Sequence, residues 1–346
     1  MIPGPHPLTA FLALVWEQVG GDPVQVAAVL EGLGRYQRTP RPAPRPPGPS
    51  LARRGGVALR DLGGPPDGPD VVLVPSVING PQILDLMPGR SLAAELGRRG
   101  LRPLLVDWGP RTGADRRLGL AGLVSARLVP LLKTRPRPVV LVGHCLGGTL
   151  ALAAALLAGP RWVRGLGLLA APWHFDGYPP GARALAAGLW RGLEPMARAL
   201  GGLPVSLLNP LFWSLDPEGL VRKYAALGVV AAEDPALAEF LAVEDWSGSG
   251  PPLGPAAARD VFVGALARDR MGRGAWRVAR RPVRPEELAV PILDVGATRD
   301  RLVPAAARLR LPGIDRLEVE AGHVGLVVGR GRPLVADALS SFVRSS

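Results

Sequence analysis

"VLVGHCLGGTLALA", Val140 to Ala153, is the stretch on which the fold is read. A β-branched apolar run leads into it, and a run rich in alanine and leucine leaves it. A strand therefore passes into a helix through one short turn. That turn carries Cys145, the only cysteine in the chain. A nucleophile displayed on such a turn sits on strained backbone, so its flanking positions must be small. Gly143 and Gly147 meet that need on either side of His144-Cys145-Leu146, and Gly148 adds room. The helix start also brings backbone N–H groups and a positive dipole end towards the thiol, which favours thiolate and a neighbouring oxyanion. The bland alternative is a small buried cysteine that packs like alanine.

Outward from this turn the chain alternates. Strands are expected at Val71–Ile78, Arg102–Trp108, Val163–Pro172, Val290–Ala297 and Asp315–Gly322. Helical stretches lie between them, at Ser91–Gly100, around 118–132 and over 149–159. This alternation predicts a mostly parallel central sheet flanked by helices, an α/β fold. From Pro172 to about Leu288 it stops. That segment holds Trp173, Trp190, Trp213, Trp246 and Trp276 among many Pro and Gly breaks. It reads as an inserted helical cap, about 173–288, within a catalytic domain of 57–346. Its aromatics either line an apolar channel or, more commonly, form the cap's own core. Residues 1–37 read as a helical segment interrupted at Gly-Gly-Asp-Pro. Residues 38–56 read as a Pro/Arg-rich linker, opening with "RTPRPAPRPPGPS", which cannot hold a helix.

With 346 residues and 47% of them hydrophobic, a sizeable core can be buried. The net charge is +12, nearly all from arginine, since the only lysines are Lys133 and Lys223. Such charge can attract nucleic acid, anionic lipid or a phosphate-bearing acyl carrier, or can reflect an Ala/Gly/Pro/Arg-rich composition. No zinc-finger spacing and no basic helix with interleaved aromatics occurs, so no nucleic-acid partner is expected. One cysteine excludes an internal disulfide framework and a multi-cysteine metal site, and no metal is expected. No apolar run reaches the roughly 18 residues that span a bilayer. The N-terminus lacks a basic region and a cleavage site, so a cytoplasmic protein is expected.

The turn predicts partners in the order nucleophile, acid, base. Asp300 lies just past the strand "VPILDVGA", where open α/β sheets place functional groups. An Asx-turn at the strand exit is its alternative role; Asp294, inside the strand, and Asp315, at the start of the next, are worse placed. Only four histidines exist: His6, His144, His174 and His323. His6 is in a tail, and His174 precedes the acid. His144 adjoins Cys145, which predicts a ring pointing away from the shared site. His323 is left as the base. An oxyanion hole needs two donors. Leu146 N–H is one; the other is expected from the loop "VPSVING", at Val77 or Ile78, with the Asn79 side chain as a further candidate.

At these residues the chain resembles the polyhydroxyalkanoate synthase (PhaC-like) family of the α/β-hydrolase superfamily, in its short class III-like form. "VVLVPSVINGPQILDLMPGRSLAAELGRRGLRPLLVDWG" is similar to that family's N-terminal catalytic signature, and "GHCLGG" to its cysteine-containing lipase box. "LLAAPWHF", "VEDWSGSGPPLGPAAARDVF", "GATRDRLVP" and "AGHVGLV" follow in the family's order. The likeness covers roughly residues 60–335. It implies an α/β-hydrolase fold with a cap, Cys145 as acylated nucleophile, His323 as base and Asp300 as its acid partner. It implies 3-hydroxyacyl groups taken from coenzyme A thioesters and joined into polyester, with no cofactor beyond the coenzyme A of the substrate. A second synthase subunit or second copy, and a polymer granule surface, are the partners it suggests. The chain departs from the pattern at His144, where Tyr is common, at Arg301 and Ala305, and at "WSGSG", Trp246–Gly250. These departures keep a hydrolase alternative open: thioesterase, carboxylesterase or polyester depolymerase through the same three residues. A scaffold that kept the fold and lost turnover is the non-enzymatic alternative.

Overall fold

The computed structural model describes residues 4–42, 45–110 and 113–346. Met1–Pro3 of the expected N-terminal segment, and Ala43 and Pro44 of the expected linker, lie outside the described residues. The chain forms two compact units: residues 47–203 with 251–346, and residues 1–46 with 204–250.

The larger unit is built on an eight-stranded sheet. Its strands are β1 (Ser50–Arg54), β2 (Val57–Asp61), β3 (Asp70–Val74), β4 (Arg102–Asp107), β5 (Val139–His144) and β6 (Val163–Leu169). A separate two-stranded ribbon follows, β7 (Arg277–Val278) with β8 (Arg281–Pro282). The sheet then resumes with β9 (Ile292–Ala297) and β10 (Asp315–Val319). The order is β1-β2-β4-β3-β5-β6-β9-β10, and every pairing from β4 to β10 is parallel. All residues of β3 and β5 are buried. Their β-branched runs are what a strand covered on both faces requires. Helices Leu92–Arg98, Leu146–Ala158 and Arg332–Ser345 belong to this unit. The expected α/β architecture is therefore the observed one.

Most expected strands are shorter by a few residues, with β6 ending at Leu169, β9 starting at Ile292 and β10 ending at Val319, and three differences bear on the architecture. The first strand was expected to reach Ile78 but stops at Val74, because Pro75 has no N–H for the ladder. Trp108 Nε1 donates to the Pro75 carbonyl at 3.0 Å and pins the loop that follows. The linker expected over 38–56 ends earlier, since β1 begins at Ser50 and turns at Gly55-Gly56 into β2. β1 is a mostly exposed edge strand, and its charged sequence carries no apolar alternation.

The third difference lies in the cap. Helix Pro180–Ala199 and the π-helical turn Asp260–Ala267 belong to the sheet's unit, where Trp190 stacks on Phe262 with centroids 5.8 Å apart. Residues 204–250 instead share a core with the N-terminal helices Leu8–Val19 and Pro23–Arg38. Phe11, Tyr36 and Tyr224 lie at its centre, with Phe11 and Tyr224 rings 4.7 Å apart. Helix Pro23–Arg38 comes so close to helix Pro217–Gly228 that a Cβ on Gly32 would overlap the Tyr224 carbonyl. Gly32→Val is expected to force the two helices apart and to lower unfolding stability by at least ~1–3 kcal/mol. Urea unfolding of the variant checks this; an unchanged midpoint contradicts the packing.

Candidate active site

The site is assembled at the C-terminal ends of the parallel strands. Cys145 follows β5 directly and has φ +56° and ψ −134°, a backbone region that side chains other than glycine's avoid. Its N–H donates to Leu169 O at 2.9 Å, and its own carbonyl accepts from Gly148 N at 2.9 Å. The turn closes only because its neighbours are small. A Cβ on Gly147 would run into the Val74 carbonyl, and one on Gly143 into the Gly148 backbone. The thiol is half-buried and sits at the N-cap of helix Leu146–Ala158.

His323, in the loop after β10, is brought into the electrostatic reach of Cys145. On its other side, His323 Nδ1 meets Asp300 Oδ2 at 2.7 Å. Asp300 divides its carboxylate. Oδ2 holds the histidine, while Oδ1 accepts from Leu302 N and Val303 N, both at 2.8 Å. The Asx-turn and the histidine partnership expected as alternatives are both present, one per oxygen. Asp294, by contrast, is fully buried between Arg308 (2.9 Å) and Arg316 (2.7 Å).

The electrostatics follow from this geometry. Burial opposes charge on His323, but the neighbouring Cys145 and the hydrogen bond and charge of Asp300 outweigh it, raising the ring to about 10. Burial likewise opposes charge on Asp300, yet the His323 hydrogen bond and charge, with the two backbone donors, hold it below its ordinary value.

Two neighbours were not foreseen. His144 does not point away from the site, as expected from its place beside Cys145. Its ring lies against that of His323, with centroids 4.9 Å apart, and its Nε2 is 3.4 Å from the His323 carbonyl. A carbonyl only accepts, so Nε2 carries the hydrogen. Burial, then the positive charge of His323, push His144 down to about 3, which keeps it neutral. Tyr178 stacks on Phe175 at 5.8 Å. Burial and the negative charges of Cys145 and Asp300 raise its phenol, placing it in the field of the site. No motif spacing marks either residue; both depend on tertiary placement.

Of the expected oxyanion donors, Leu146 N–H is the first of its helix and has no acceptor among the described residues. Val77 is fully buried in the loop after β3. Ile78 N–H is already engaged by Ser76 Oγ at 3.2 Å. Among the described residues, no group of three or more His, Cys, Asp or Glu side chains is arranged to hold a metal ion. No helix among them is long and apolar enough to cross a membrane.

No family model matches the chain. Curated relatives do. The chain is 30% identical over 277 residues to the poly(3-hydroxyalkanoate) polymerase subunit PhaC of Synechocystis sp., covering 75% of this chain and 72% of that one. To the protein of the same name from Allochromatium vinosum it is 26% identical over 286 residues, 79% of this chain and 80% of the relative. To that from Haloferax mediterranei it is 28% identical over 270 residues, 75% of this chain and 55% of the relative. Among solved structures, a putative non-heme bromoperoxidase, BpoC, from Mycobacterium tuberculosis superposes with a TM-score of 0.55 at 16% identity. It covers 88% of this chain and 100% of its own. A hydrolase from Pseudomonas aeruginosa gives 0.52 at 18% identity, over 84% of this chain and 93% of its own. These likenesses carry the fold.

The raised His323 has a defined pH signature. Its folded-state value lies above the ordinary ~6.5 of an unfolded histidine. The stability it contributes is therefore complete below about 6.5 and lost as pH rises through about 10. In an NMR titration the His323 ring should stay protonated through neutral pH, and its transition should move down in Cys145→Ala and in Asp300→Asn. A wild-type midpoint at the ordinary value contradicts the charge arrangement.

Proposed function

We propose a reaction from one premise: the chain belongs to the poly(3-hydroxyalkanoate) polymerase PhaC family, on the α/β-hydrolase fold. It is an enzyme of acyl transfer or hydrolysis, and the reading best supported is a polyhydroxyalkanoate synthase-like acyltransferase. The observation that carries this is Cys145 on the strained turn, with His323 in its electrostatic reach and bonded to Asp300.

In this reading Cys145 Sγ attacks the carbonyl carbon of a 3-hydroxyacyl-coenzyme A, and its proton resides on His323. The oxygen of the tetrahedral intermediate is met by Leu146 N–H and the Val77 loop. The carbon–sulfur bond to coenzyme A breaks, and its sulfur leaves with the proton from His323. One thioester has replaced another at little free-energy cost, so the acyl group on Cys145 stays activated. The terminal hydroxyl of a growing chain then attacks. His323 takes its proton, the bond to Cys145 breaks, and an ester one unit longer is released. Asp300 holds the imidazole in the tautomer that presents Nε2 to both sulfur and hydroxyl. Serine in place of Cys145 would form a more stable oxyester, the better choice for plain hydrolysis.

The position of Arg301, next to Asp300, and the altered "WSGSG" stretch favour the second reading, in which water takes the place of the chain hydroxyl. Water exclusion decides between the two outcomes. The polymer-forming reading also puts the protein in the cytoplasm at a granule surface, with a second subunit or second copy as partner.

Purified protein incubated with 3-hydroxybutyryl-coenzyme A, with products read by mass, tests this. Oligoesters with free coenzyme A are expected. Release of monomeric acid alone makes the protein a thioesterase, and no turnover even with a candidate partner subunit overturns the acyl-thioester reading. Cys145→Ala should cut turnover by roughly 10⁴-fold or more; turnover that survives removes Cys145 from the mechanism.

A further inference from the structure

Positive charge gathers on one stretch of the larger unit. Arg268 to Arg284 reads "RDRMGRGAWRVARRPVR", seven arginines against one acid. All seven arginines are exposed. The acid, Asp269, is 2% exposed and is engaged by backbone, accepting from Phe175 N at 2.8 Å and Gly272 N at 3.1 Å. It therefore serves the chain's own turn and does not balance the arginines. Among the described residues the only ion pair of these seven is Arg284 with Glu287, at 3.7 Å with both side chains more than half exposed. Exposed guanidiniums without carboxylates are held at a cost in mutual repulsion, and an anion relieves it.

Two of these arginines, Arg273 and Arg284, border a cavity of about 420 Å³. Arg273, Arg284 and Arg310 line it with Trp173 and His174, against one carboxylate, Glu286. Arg310 is shared with Asp176 at 2.9 Å, in a pair about half exposed. Trp173 and His174 follow β6, and both donate backbone N–H groups to Ala307 O, at 2.7 and 2.9 Å. Arg310 lies in the connection from β9 to β10. The cavity thus lies between the segment that follows β6, the stretch 271–286 and the connection from β9 to β10. Its volume suits a small molecule. Guanidinium forks match phosphate oxygens two at a time and stay charged at every working pH.

We propose that this cavity is an anion site that binds the phosphate or diphosphate end of a small phosphorylated ligand, with Arg273 and Arg284 as its principal contacts. The same chemistry has two sources: the phosphorylated end of the acyl donor, or a free phosphate compound. Only the first rests on the acyl-thioester reading.

Calorimetry on the full chain, with pyrophosphate and with adenosine 3′,5′-bisphosphate, tests the site without any turnover. Wild type should bind at least one probe. Arg273→Gln with Arg284→Gln should weaken it roughly tenfold or more. A charge-matched control, Arg38→Gln with Arg222→Gln, removes two exposed arginines of the other unit and should leave affinity unchanged. No binding of either probe overturns the proposal, and so does an equal loss in both double variants, which would mean diffuse charge. The KM for 3-hydroxybutyryl-coenzyme A then separates the sources. A rise in the pocket variant with kcat held identifies the donor's phosphates, and an unmoved KM alongside lost pyrophosphate binding identifies a free phosphate compound.

Discussion

The positive φ of Cys145 is the constraint on which the site depends. A side chain in that region crowds its own backbone, at a cost of about 1–3 kcal/mol. It persists because the surroundings leave the turn no other path. Cys145 N–H continues the ladder of β5 onto Leu169 of β6, so the strand pairing runs into the turn itself. On the other side β5 pairs with β3, whose last carbonyl, Val74, fills the space a side chain at Gly147 would need. The helix from Leu146 starts at once. The result is a sulfur lifted above the strand ends with backbone N–H groups beside it.

Strand order then supplies the rest. β6 lies beside β5, β9 beside β6, and β10 beside β9, so the loop after β9 brings Asp300 and the loop after β10 brings His323 to one edge. Asp300 uses one oxygen to fix its own loop and the other to fix the imidazole, which couples the position of His323 to the fold of the strand exit. His144 adds a second restraint from behind. Buried and neutral, it packs against the His323 ring and meets its carbonyl, while a charged group there would compete with the proton His323 holds.

What could be read from the sequence follows the same division. Buried parallel strands are continuous β-branched runs, so β3, β4, β5, β6 and β9 were visible, and glycines around Cys145 marked the turn. Asp300 and His323 were visible because each follows a strand directly. The hairpin of β1 and β2 was not, because an exposed edge strand rich in arginine has no apolar alternation. The pairing of residues 204–250 with the N-terminal helices was hidden too. It rests on a close approach at Gly32 and on aromatic contacts, such as Phe11 with Tyr224 and Tyr36 with Phe240, between segments far apart in the chain. The place of His144 escaped for a related reason: chain adjacency to Cys145 says little about which ring it meets. Ile78 lost its place as an oxyanion donor to a local bond from Ser76 Oγ, which only the folded loop displays.

The central claim is that the acyl group passes through Cys145. The direct measurement is peptide-resolved mass spectrometry of protein acid-quenched during turnover of a 3-hydroxyacyl-coenzyme A. The account predicts a 3-hydroxyacyl adduct on the peptide carrying Cys145, absent in Cys145→Ala. Product formed with no adduct on that peptide, or with the adduct on another side chain, would contradict it.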